Sequence, residues 1–469
     1  MNKIIITVLL AAAALTASAD NNVYIYRNDR NFHHLRSKDK IEFLHSVDQD
    51  GTVYAEFPGM ERVDVAKIDS CTMREVDIPV LKFRFTDYPD ATMLWDKELY
   101  LNTELDIEGN GMVEDQTGLT LKVKGRGNTT WGWPKKPMRL KFDKKTSICG
   151  FKKAKNYVLL ANFLDNSLIR TSVAMWLANK LNVPCANHTM PCHIYVNDSY
   201  TGVYTMTEKV GINGSSVDID ENTGILLELS LEYDEPYKFK SQNYSLPVMV
   251  KDPDFDELAE SGGMSAADRL KLWQDDFNAA ETLATQGRGE EAFDIDSFVN
   301  YMLLYEITGN HEIGAPKSIY VHKTSLEEGN KWIFGPAWDF DVAFNFAVKM
   351  TDDGPLENDP MCPMAMNPLF TALLKTPSIK ARYLERINDF ISIIYPEYMK
   401  YFEEISSLVE PSARENGVRW PDAQSLGWAY VVTSYDTQSN IIRMRNWLKD
   451  RTEYLKKLTS LTAKSITSP

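Results

Sequence analysis

Short strand-like segments recur through the first half of the chain: LKFRF from Leu81, LTLKVKG from Leu119, MRLKF from Met138 and YVLLANF from Tyr157. Their length and spacing commit this region to a sheet rather than to helices. The same region holds the densest positive charge. Lys122 to Lys155 carries twelve Lys or Arg and one acid, a local +11 in a chain whose net charge is -15. Gly, Asn, Thr and Trp stand among the cations in GRGNTTWGW, which suits a backbone-and-cation cradle for phosphate better than a diffuse solvated face. Fields fade beyond about 8 Å at physiological ionic strength, so a nearby anion would feel this stretch and not the total. The acidic total opposes non-specific binding to nucleic acid.

At 469 residues and 43% hydrophobic composition, the chain can bury a large core, and a main domain of two lobes with at most one small extra is expected. Lys3, the apolar run Ile4 to Leu15 and Ala17-Ser18-Ala19 form the pattern of a secretory signal over residues 1–19. The run is shorter than the ~20 residues that span a bilayer. Export to the periplasm, the cell surface or the medium is expected, with no transmembrane anchor after cleavage. Residues 20–77 alternate apolar and polar (VYIYRN, KIEFLH, TVYAEF, RVDVAKID) with Asp-Gly and Pro-Gly turns, and read as a small β meander ending in a linker near Val76 to Pro79. Five cysteines leave at least one thiol unpaired within the chain. Cys185 and Cys192 are near enough in sequence to pair, or stand as two buried thiols; with His188 and His193 they lack the spacing of a zinc site.

Further along, Asn166 or Ser167 is placed to cap a helix carrying Ile169, Val173, Trp176, Leu177 and Leu181, with Pro184 beyond its end. HIYVND and GVYTMTEKV read as a hairpin turning between Asn197 and Gly202, and ILLELS as a further strand. Asp252 to Gly289 is acidic and polar, a variable insertion leading into helices. Asp294 or Asp296 caps a helix with Phe298, Val299, Met302 and Leu303 inside; then come the loop Gly309-Asn310-His311-Glu312, a strand over Ser318 to His322, a strand over Trp332 to Phe334, and WDFD with Asp339 and Asp341. Helix, polar loop, hairpin and carboxylate pair is the order of a protein kinase's catalytic loop and metal-binding segment. The remainder is helical and ends in an amphipathic helix with Met444, Trp447, Leu448, Tyr454, Leu455 and Leu458 at helical spacing.

RGNTTWGWPKKPMRLKF, YVLLANFLDNSLIR, TGVYTMTEKV, the GNHE loop and GPAWDFD together resemble the spore coat protein H (CotH) kinase family, roughly from Val80 to Phe346 with a helical tail. The resemblance implies an α+β, two-lobed atypical protein-kinase-like fold over residues 78–465 (a strand-rich N-lobe over about 80–230, a helical C-lobe over about 250–465), behind the small N-terminal β module. It also implies ATP with Mg2+ or Mn2+, and phosphorylation of an unidentified protein or cell-envelope hydroxyl. Carried over by position, Arg126, Asn128, Lys136 and Lys141 would face the phosphates, with Lys141 the principal charge. Glu208 sits near the nucleotide's hinge or forms a structural pair. Asp165 and Arg170 brace the lobe. Asp339 is the metal ligand, and Asp341 orients it or shares the ion; hard carboxylate oxygens suit magnesium.

The loop departs from the family's pattern. Where the family has Asn-x-Asp and a second Asn on the following strand, this chain has Asn310-His311-Glu312 and then Lys317-Ser318. Asn310 and Glu312 are the catalytic candidates, yet one extra methylene moves a carboxylate by about 1.5 Å where catalytic groups need placement within about 0.5 Å. A catalytically silent, surface or periplasmic binding protein is therefore the alternative. A third reading, a glycan hydrolase pairing Glu312 with Asp339 or Asp341 and stacking sugar on Trp131 and Trp133, leaves the +11 stretch without a purpose.

Overall fold

The computed structural model describes residues 22–27, 32–36, 44–56, 62–74, 76–314, 316–345, 350–351, 354–355, 367–421 and 437–467. The expected signal segment lies outside them. Six short strands come first: β1 (Asn22–Arg27), β2 (Phe32–Arg36), β3 (Leu44–Val47), β4 (Val53–Glu56), β5 (Val63–Asp64) and β6 (Ile68–Arg74). They do not form one meander. β1 pairs with both β2 and the distant β6, while β3, β4 and β5 make a second three-stranded sheet.

Seven strands then close a barrel: β7 (Val80–Phe85), β8 (Leu101–Glu108), β9 (Gln116–Gly125), β10 (Met138–Thr146), β11 (Ala154–Leu160), β12 (Thr189–Val196) and β13 (Ser199–Glu208), in the order β10-β11-β13-β12-β7-β8-β9. Period-two alternation sends one set of side chains inward. Leu81, Phe83, Leu105, Val123, Leu140, Leu159, Ile194 and Met206 fill the interior, and closure leaves no sheet edge exposed. The parallel pairing of β7 with β12, Val80 opposite His193, completes the ring. The α+β content is as the sequence suggests; the closed barrel is not a form that the strand pattern announced.

Between β11 and β12 the chain inserts α1 (Arg170–Lys180). Neither expected cap residue serves it. Instead the Asp165 carboxylate accepts from the Ser167 and Arg170 N–H groups at 3.0 and 3.1 Å, closing the helix start from one residue upstream of the expected pair. A five-stranded sheet follows, in the order β15 (Lys238–Lys240), β16 (Pro247–Asp252), β14 (Ile225–Leu229), β17 (Ile319–Lys323), β18 (Ile333–Phe334). The segment read as a polar insertion is built into the core: α2 (Phe255–Glu260) and α3 (Ala266–Thr285) bury Phe255, Trp273 and Phe277. Asp294 caps α4 (Ile295–Thr308), accepting from the Ser297 N–H at 2.7 Å, whereas Asp296 pairs outward with Arg382. α5 (Pro368–Leu373), α6 (Pro377–Asp389), α7 (Tyr395–Arg419) and α8 (Thr437–Thr467) complete the helical part, α8 burying Ile441, Met444, Trp447, Leu448 and Leu455 as its periodicity requires.

Cys149, Cys185 and Cys192 are free thiols, so of the two alternatives for Cys185 and Cys192 the unpaired one holds, with Cys192 buried and Cys185 half-buried, and burial pushes the Cys149 thiol up to about 12. Among the described residues no helix is long and apolar enough to cross a membrane.

Candidate functional site

A cleft of about 710 Å³ opens between the outer face of the barrel and the five-stranded sheet with its following loop. Cross-strand register builds its barrel wall. Lys124 on β9 lies opposite Arg139 on β10, Arg139 opposite Val158 on β11, and Val158 opposite Thr207 on β13; all four line the cleft. The loop after β9 adds Arg126, Gly127 and Asn128, and Lys209 follows β13. Gly127 is required there: its φ is +91°, and a Cβ would lie 2.4 Å from the Thr130 hydroxyl. Arg126 stands 5.6 Å from the Trp338 ring. Burial pulls its guanidinium below the ordinary value, and the nearby Asp339 carboxylate offsets this in part.

The opposite wall is acidic. α4 ends at Gly309, whose φ of +62° and whose contact with Trp447 leave no room for a side chain. The next residue, Asn310, is fully buried; its amide donates to the Asp339 carbonyl at 2.8 Å, and its side-chain oxygen accepts from the Glu312 N–H at 3.1 Å. That clamp holds Asp339 at a φ of +67°, a conformation few non-glycine residues adopt. The Ser318 hydroxyl reaches the Asp339 carboxylate at 3.5 Å, and the Lys317 ammonium stands 3.6 Å from Glu312.

Three carboxylates thus share a small volume. Burial, then Asp339, raises the Glu312 carboxyl well above the carboxylate range, while Lys317 opposes the rise. Burial, Asp339 and Asp165 raise Asp341 likewise. Burial depresses the Lys317 ammonium, but Glu312, Asp339, Glu232 and Asp341 outweigh it and raise its pKa. One oxygen of Glu312 is buried with no hydrogen-bond partner. Such a set is short of positive charge. No group of three or more His, Cys, Asp or Glu among the described residues is gathered to hold a metal by itself. Magnesium typically takes one or two carboxylates with substrate phosphates and water, so Asp339 and Asp341 fit as its protein donors.

Behind the site, Asp165 and Arg170 form a fully buried ion pair, and Arg170 also donates to the Ala343 carbonyl and to Asn440 on α8. The pair fixes the chain two residues beyond Asp341, which is the bracing role expected of it.

Of the residues read from the sequence, the structure brings Arg126, Asn128, Asp339 and Asp341 to one cleft, with Asn310 and Glu312 directly behind Asp339. It does not bring Lys141, Lys136 or Glu208 there. Lys141 shares the outward parity of Arg139 but lies one row further along β10, exposed, between Lys122 and Asn156. Lys136 turns back, donating to the Trp131 carbonyl at 2.7 Å. Glu208 is buried on the other side of β13, accepting from the His188 N–H and pairing with its ring at 2.8 Å, so it is a structural pair. Arg139, Lys209 and the Lys251–Glu228–Glu235 cluster, with contacts of 3.0 and 2.6 Å, are cleft residues that the motifs did not single out. For Arg139 and Lys209 the signal was their strand parity; Glu228 and Lys251 are joined only by the pairing of β14 with β16.

No curated protein matches this chain in sequence comparison. The family described as CotH kinase protein matches residues 123–455, a span that starts within β9, later than the resemblance near Val80, and runs on through most of α8. With well over half of its length so matched, the chain belongs to the CotH kinase family.

Proposed function

We propose that this protein is a two-lobed, kinase-like phosphotransferase that binds ATP with Mg2+ or Mn2+ in the cleft and transfers its terminal phosphoryl group to a protein or cell-envelope hydroxyl. The observation that carries the reading is the facing of Lys124, Arg126 and Arg139 against Asp339 and Asp341 across one cavity, with Glu312 behind Asp339. Cations on one wall match phosphate oxygens; acids on the other match a divalent ion that those oxygens would share. A neutral glycan would leave both walls unmatched.

In this reading Arg126 and Arg139 hold the phosphates, Arg139 kept in place by its two donations to Asn156 at 3.2 and 3.0 Å. Asp339 and Asp341 would hold the metal ion, which supplies charge neutralisation and orientation of the phosphate chain. Asn310 fixes the Asp339 backbone. Glu312, behind Asp339 and with one oxygen unpartnered, is the candidate to orient the attacking hydroxyl. The test is transfer from labelled ATP with magnesium or manganese: transfer and self-labelling in the wild type, lost in Asp339→Ala. Absence of both in the wild type, or their survival in the variant, removes the reading.

A second reading, nucleotide binding without transfer, is favoured by Lys317, whose ammonium stands 3.6 Å from Glu312 and feels the charges of Asp339 and Asp341. ATP–Mg2+ at 100 times its Kd stabilises a binder by about 2.7 kcal/mol, so a thermal shift without labelling identifies this case. Export belongs to the same proposal, and N-terminal sequencing of protein from cell fractions checks it: a periplasmic or secreted chain beginning near Asp20 is expected, a cytoplasmic one beginning at Met1 excludes it.

A further inference from the structure

The cationic stretch is larger than the cleft it feeds. On the outer face of the barrel, Lys122 of β9 lies directly opposite Lys141 of β10, one row beyond the Lys124 and Arg139 pair. Like charges opposite each other on adjacent strands are destabilising, and here two such pairs stand in successive rows. Their neighbours relieve them little, Asp96 acting only on Lys124. Asn102 on β8 and Asn156 on β11 flank the outer row, and the one ion pair in the patch joins Lys124 to Glu98 at 3.7 Å, where the Glu98 side chain is 81% exposed. Instead, the Lys124 and Lys141 ammonium groups converge on one aromatic ring, Tyr100, at 5.1 and 5.4 Å from its centre. The row beyond carries Asp143, the stretch's sole acid, so the track is two rows long and its inner end is the cleft.

We propose that Lys124 and Lys141, gathered over Tyr100, and Lys122 opposite Lys141 form a docking surface for an acidic polypeptide segment that leads into the cleft. Successive rows along a strand are two residues apart, about 7 Å, and alternate side chains of an extended peptide have the same repeat. Two acidic residues separated by one other therefore meet the two rows in register. Charge of this kind, on an otherwise acidic protein, selects a partner by attraction along one path and repels other acidic surfaces. That the docked segment is the phosphate acceptor rests on the transfer reading above; its binding does not.

The test is fluorescence anisotropy on the full chain with a labelled peptide of alternating Glu and Ser, beside a Gln and Ser counterpart. The Glu peptide is expected to bind about tenfold tighter or better at low salt, the gap narrowing at physiological ionic strength. Lys122→Glu with Lys141→Glu, both exposed and outside the cleft, abolishes the preference and leaves the ATP–Mg2+ thermal shift unchanged. Equal binding of the two peptides, an unaltered preference in the double variant, or binding of an anionic polysaccharide in place of the peptide overturns the proposal. Loss of the nucleotide shift in wild type with the Glu preference intact removes the transfer reading and sustains the docking surface.

Discussion

Arg170→Met is the most discriminating single change outside the cleft. Arg170 and Asp165 are 0% and 2% exposed at the side chain, so neither charge has water to fall back on. Removing the guanidinium leaves Asp165 buried without its counter-charge and deprives the Ala343 carbonyl and Asn440 of a donor. Breaking a buried pair from one side costs about 3–5 kcal/mol. Removing both charges costs less. In Arg170→Met with Asp165→Leu the uncompensated charge is gone; what is lost is the capping of α1 through the Ser167 and Arg170 N–H groups, about 1 kcal/mol, and the same two donations to Ala343 and Asn440 that the single variant loses. The double variant is thus expected to be more stable than Arg170→Met alone, whereas strictly additive sites would make it less stable than either single variant. Urea unfolding followed by circular dichroism measures all four proteins. A loss under about 1 kcal/mol in Arg170→Met, or additive single and double losses, would refute the buried pair.

Three further outcomes follow from the geometry. Arg139→Met should weaken ATP–Mg2+ binding by about tenfold or more, the scale of one lost charge-assisted contact, whereas Lys141→Met should leave it unchanged; isothermal titration separates the two, and the opposite ranking would return Lys141 to the site. His322 is buried, its ring meeting the Gly335 carbonyl at 2.9 Å, and burial holds its pKa below the ordinary value near 6.5. The unfolded chain takes up that proton first, so stability rises with pH through this window and is lost as pH falls below about 6.5. Stability of the wild type relative to His322→Gln, measured by urea unfolding, should therefore fall between pH 7.5 and 5.5; a constant difference refutes the assignment. Gly309→Ala sets a Cβ 2.2 Å from Trp447 at a positive φ, and should cost at least about 2 kcal/mol of stability, read as a lower thermal midpoint.

What the chain discloses without coordinates depends on how far apart the interacting residues lie. The hairpin of β12 and β13, the Asp294 cap and the buried stripe of α8 rest on neighbours within a few positions, and each is legible. The barrel rests on β7 meeting β12 in parallel and β9 meeting β10, pairings that leave no trace in local pattern. Consequently the cationic stretch is legible as a charged segment, while which of its members line the cleft is not. Parity puts Arg139 and Lys141 on one face; which of them meets the cleft is decided by the row opposite, Lys124 or Lys122. Parity also separates Glu208 from Lys209, and the barrel's inside and outside decide which of the two is turned away.

The loop departure from the family's pattern gains a geometric reading from the structure. Glu for Asp at position 312 lengthens the arm, and that was the reason to doubt the site. The structure adds a neighbour: Lys317, itself part of the departure, stands 3.6 Å from the longer carboxylate and within the field of Asp339 and Asp341. Replacing Glu312 by Asp alone would draw the acid back from Lys317 without removing the lysine, so restoring the family's residue at one position should not restore its geometry; Glu312→Asp with Lys317→Asn is the pair that tests whether the two act together, by labelled transfer against either single variant.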